Sequence, residues 1–62
     1  MNAFDVIVQQ IDEKVTQLKD FLAEGRSENL EDYRKTCGEI KGLLTARGYI
    51  LDLKQNMENS DE

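Results

Sequence analysis

One thiol, two phenols and a scatter of carboxylates are the reactive groups this chain offers. Cys37 is its single cysteine, and histidine is absent. A nucleophilic thiol needs a base beside it. Cys37 instead stands in an apolar row between Tyr33 and Ile40, where it reads as a small core residue. A lone cysteine among dispersed carboxylates is not a zinc set, and it cannot form an internal disulfide. The carboxylate pairs Asp12–Glu13 and Glu31–Asp32 are adjacent in sequence. On a helix, neighbours diverge by about 100°, so neither pair can work as a joint acid and base. No catalytic, cofactor-binding or metal-ligating residue is assigned, and the expectation is a non-enzymatic protein.

Charge narrows the partners. Thirteen acids oppose eight bases, a net −5. That argues against non-specific nucleic-acid binding, which depends on basic surface neutralising phosphates. Arg34, Lys35, Lys41 and Arg47 form a modest basic strip. It suits an acidic protein surface or the chain's own acids. The N-terminus, MNAFDVIVQQIDEK, carries acids where a signal peptide would be basic. No apolar run approaches the roughly 20 residues of a membrane span. With one unpaired thiol, the reading is synthesis in a reducing, intracellular compartment.

The elements that would position these residues are two helices. Phe4, Val8, Ile11, Val15, Leu18 and Leu22 alternate in steps of four and three. This coiled-coil-like stripe predicts a helix over about 3–24, with Ile7 and Phe21 widening it. Gly25 follows where a glycine closes a helix in the left-handed conformation. Residues 25–29, GRSEN, form the turn. Ser27 and Asn29 are both candidate N-caps for a second helix over about 29–56. An acidic tail, 57–62, ends the chain. A connection this short makes the helices antiparallel. The fold class expected is all-α, a single αα-hairpin domain over residues 1–62.

The second helix carries two apolar rows. Leu30, Tyr33, Cys37, Ile40 and Leu44 form one, expected to face the first helix. Leu43, Ala46, Ile50, Leu53 and Met57 form the other. One stripe cannot cover both. Leu43, Ile50, Leu53 and Met57 are therefore expected to lack an intramolecular partner and, with Tyr49, to form an interface with another chain. Gly38, Gly42 and Ala46 make a row of small residues that admits close backbone approach. Either the first helix fills that notch, or a second chain does, or the glycines mark a kink. Gly48 lies outside the row, as a neutral position or a bend. A chain of this size is marginal alone and commonly needs a disulfide, a metal or a partner. With the first two excluded, the hairpin is expected to be completed by oligomerisation or by docking on a larger protein.

The run DYRKTCGEIKGLLTARGYILDL, residues 32–53, resembles a group of small uncharacterised proteins of tailed bacteriophages. These share an N-terminal amphipathic helix, a short turn with glycine, a helix of pattern Y…CG.I.GLL.A…I.DL, and an acidic tail. The pattern falls here on Tyr33, Cys37, Gly38, Ile40, Gly42, Leu43, Leu44, Ala46, Ile50, Asp52 and Leu53. Gly48 departs from it, which puts the straightness of the second helix in question. The resemblance implies a gene among virion-morphogenesis genes, near those for portal and capsid proteins. The implied role is structural, in head or head–tail assembly, in the host cytoplasm during infection and in the virion. The implied partners are further copies of the chain or a portal or capsid protein. The rival expectation is a small phage inhibitor that binds a host enzyme. A transcriptional regulator is disfavoured by the missing basic recognition helix.

Overall fold

A computed structural model describes residues 2–59 as two helices, α1 (Ala3–Ala23) and α2 (Leu30–Asn59). No strand occurs among the described residues. The predicted boundaries hold within a residue except at the end of α2, which continues past 56. Lys54 reaches Glu58 at 4.0 Å, one turn on, and supports that extra turn. The last three residues of the expected tail, 60–62, lie outside the described residues.

Local chemistry accounts for each helix end. Asn2, in extended conformation, caps α1: its Oδ1 accepts from the Asp5 amide at 3.0 Å, and Asp5 Oδ2 accepts from the Asn2 amide at 3.5 Å. This reciprocal box satisfies two amides that have no partner within the helix. At the other end Gly25 takes φ +69°, a conformation that L side chains rarely adopt. The turn it makes lets the Gly25 amide donate to Leu22 O at 3.1 Å and the Arg26 amide to Phe21 O at 3.3 Å. Those two bonds are the Schellman closure. Arg26 then stacks its guanidinium 5.4 Å from the centre of the Phe21 ring.

Of the two candidate caps for α2, Asn29 is the one used. Its Oδ1 accepts from the Asp32 amide at 2.8 Å and its carbonyl from the Tyr33 amide at 3.0 Å. Asp32 Oδ2 reaches back to the Glu28 amide at 3.1 Å. Ser27 does not cap; its hydroxyl is buried and meets no protein group.

The six-residue stripe of α1 faces α2 as predicted: Val15 is buried, and Phe4, Val8, Ile11, Leu18 and Leu22 are half-buried. The row presented by α2 is not the one expected. Leu30, Tyr33 and Leu44 are exposed, and of that row only Cys37 and Ile40 are half-buried. The inward row is Thr36, Ile40, Leu43, Arg47, Ile50 and Lys54, again spaced four and three. Leu43 and Ile50, expected to be uncovered, therefore lie on the side facing α1. The difference is a rotation of α2 about its axis, and two ion pairs lie across the seam it creates. Arg47 Nε meets Asp12 Oδ1 at 2.7 Å, and Lys54 Nζ meets Asp5 Oδ1 at 2.7 Å. Asp5 and Asp12 are one heptad apart, as are Arg47 and Lys54. The rotation that brings both cations to both acids also turns Leu30, Tyr33 and Leu44 outward.

Little is sealed from solvent. Among the described residues Val15, at 5% exposure, is the only buried apolar one, and Thr36, at 7%, the only buried polar one. The Thr36 hydroxyl is satisfied by Asp32 O at 3.1 Å. The hairpin is 51 Å long and 19 by 12 Å across, with a radius of gyration of 14.9 Å. A compact chain of this length would have roughly 10.6 Å.

Candidate protein-interaction surface

The acids of α1 and the cations of α2 settle how the hairpin is clasped. Asp12 and Arg47 make a forked contact, with Nη2 to Oδ2 at 3.5 Å beside the shorter bond. That planar match is specific to arginine and carboxylate. Asp5 and Lys54 close the open end of the hairpin. The bond from Lys54, aided by the Asn2 amide and partly opposed by desolvation, holds the Asp5 carboxyl below its ordinary value of 3.8. The same bond holds the Lys54 ammonium above its ordinary 10.5, with a minor contribution from Glu58.

The sign for stability follows from those directions. A carboxyl whose pKa is depressed on folding stabilises fully above its unfolded pKa and loses that contribution as pH falls through its folded one. The raised lysine contributes below its unfolded pKa and loses that contribution as pH rises through its folded value. The clasp is therefore complete between about pH 4 and pH 10. Acid titration should lower the melting temperature of the native chain from near pH 4 downward, and by less in Lys54→Met. Thermal melts followed by circular dichroism check this. Equal acid sensitivity in both proteins would show that the bond adds nothing to stability.

The glycines do not receive α1. A Cβ added at Gly38, Gly42 or Gly48 would meet no atom within 4 Å. The reading in which the first helix fills the notch is thereby corrected. Nor do the glycines break α2, which is helical throughout Leu30–Asn59. Gly48 is an exposed position within the helix. Of the notch residues, Gly38 and Gly42 are exposed and Ala46 is half-buried at the edge of the seam with α1.

The five predicted interface residues divide. Tyr49, Leu53 and Met57 are exposed; Leu43 and Ile50 are half-buried on the side facing α1. Tyr49 is the most open large apolar residue, at 70%. A second exposed set, Leu30, Tyr33 and Leu44, lies on the other flank of α2. It escaped the sequence reading because its spacing matches a core row as well as a surface one. Beside it, the Cys37 thiol one turn on holds the Tyr33 phenol above its ordinary value. Cys37 itself is a free, half-buried thiol.

Among the described residues, no group of three or more histidine, cysteine or carboxylate side chains could hold a metal ion. No helix among them is long and apolar enough to cross a membrane. Comparison with protein-family models, curated proteins and solved structures finds no match for the chain.

Proposed function

We propose that this chain is a non-enzymatic structural or assembly protein of a tailed bacteriophage. It acts by docking the outer side of α2 on protein partners, either further copies of itself or a portal, head–tail or capsid component. The observation that carries the docking reading is the exposure of Tyr49, Leu53 and Met57 on a hairpin whose described residues include one buried apolar side chain. Burying a large apolar side chain is worth about 1.5–3 kcal/mol. A hairpin that leaves several such residues in water gains most by covering them with another protein. The phage setting is supported by the resemblance of residues 32–53 to small tailed-phage proteins.

The experiment is quantitative mass spectrometry of particles purified from cells infected by the encoding phage, with assembly intermediates analysed alongside. The chain is expected in particles or intermediates at a fixed copy number. It should be lost when Leu53→Asp places a charge on the docking side. Ile50→Asp is not a suitable probe, because Ile50 lies toward α1 and its replacement would damage the hairpin. A chain absent from every particle form, and recovered instead with a host enzyme, would replace this reading with that of an inhibitor.

A further inference from the structure

We infer that the occupant of the outer side of α2 is a second copy of this chain, docked antiparallel across a twofold axis beside Thr45 and Ala46. The inference deepens the docking reading above and rests on it. Three observations bear on that occupant, the last two favouring a copy over an unrelated protein.

The first is area. The chain exposes 4926 Å². A compact monomer of 7.1 kDa would expose roughly 4,100 Å². The excess, roughly 800 Å², matches what one partner gives up in an interface of standard size.

The second is self-complementarity. Gly38, Gly42, Tyr49 and Leu53 fall within one narrow arc of α2, two small residues followed by two large ones. Gly42 and Tyr49 are equidistant from the midpoint between Thr45 and Ala46, and so are Gly38 and Leu53. A twofold axis at that midpoint sets Tyr49 of each chain over Gly42 of the other, and Leu53 over Gly38. Tyr49 and Leu53 are open to solvent at 70% and 50%. The space outside both glycines is empty. An isologous interface requires this relation, a surface complementary to itself under a twofold rotation.

The third is charge. Lys41 and Asp52 are exposed and straddle the same midpoint to within one residue. Eleven positions apart on one helix, they are separated by roughly 16 Å and cannot pair within a chain. Across the axis Lys41 of each copy meets Asp52 of the other.

Sedimentation equilibrium from 1 to 200 µM (an assay range), with charge exchange, tests the inference on the full chain. The native chain should sediment as a dimer over the upper part of that range. Lys41→Asp and Asp52→Lys should each weaken dimerisation roughly tenfold, as two attractive exposed pairs become two repulsive ones. The double variant should return to the native constant. Both positions are exposed, so helicity by circular dichroism should stay at the native level. A monomer throughout, a dimer insensitive to both single changes, or a double variant that fails to recover would each overturn the inference. Particle recruitment in the same variants separates the two readings. A monomeric chain still incorporated through Leu53 would remove the second copy and leave docking intact.

Discussion

Val15→Asp is expected to unfold the hairpin, while Val6→Asp on the same helix leaves it standing. Among the described residues Val15 is the one apolar side chain withdrawn from solvent, and Val6 is exposed. A domain of this length has roughly 3–9 kcal/mol of stability in total. Losing the valine forfeits about 1.5–3 kcal/mol of apolar burial. Setting an ionised carboxylate in the same dry position adds several kcal/mol more unless it finds a partner. Together these match or exceed the whole. Val6→Asp makes the same chemical change where water already reaches, and surface substitutions usually fall within about 0.5 kcal/mol. It also lies in the first turn of α1, where a negative charge suits the helix dipole. Helical ellipticity and thermal melting of the two variants decide the matter. A Val15→Asp protein with native ellipticity and an unchanged melting temperature would mean that the seam between α1 and α2 does not hold the fold.

Arg47→Glu should lower the melting temperature by about 5–15 °C, and adding Asp12→Arg should recover most of the loss. Arg47 is a charged residue within the row that faces α1, and its fork to Asp12 is the reason it can stand there. The pair is partly exposed, so its attraction is modest, up to about 1 kcal/mol. Replacing arginine with glutamate removes that attraction and sets two carboxylates together, a change of about 1–2 kcal/mol. In a domain of 60–100 residues, 1 kcal/mol shifts melting by about 4–8 °C. The compensating change restores an oppositely charged pair with the partners exchanged. Recovery would show that the two side chains meet, and thus that the helices run antiparallel in the register described. Additive losses would place Arg47 and Asp12 apart and overturn that register.

The sequence by itself determined the elements. The stripe on α1 is unbroken, and apart from Val6 the opposite side is polar or small, so one face is marked for burial. The ends were legible for the same local reason. A closing glycine, a cap and a first-turn acid act on groups within a few residues, and Gly25 and Asn29 did what their types allow, while the Asn2 cap of α1 came only with the structure. Two helices with a five-residue connection then admit little besides a hairpin.

What only the tertiary structure decided is which side of α2 meets α1. That helix has apolar residues around much of its circumference, so spacing offered two rows, and the one it favoured is not the one that faces inward. Leu30, Tyr33 and Leu44 made the better apolar row, yet they stay outside. The inward row contains Arg47 and Lys54, which a search for apolar spacing passes over. Their role was present in the sequence as two heptad spacings, Asp5 to Asp12 and Arg47 to Lys54. It acquires meaning only when the two helices lie antiparallel, because an ion pair between residues 35 or 49 positions apart is no local property. The same rotation drew Leu43 and Ile50 toward α1 and left the glycines open, so it fixed both the seam and the surface available to a partner.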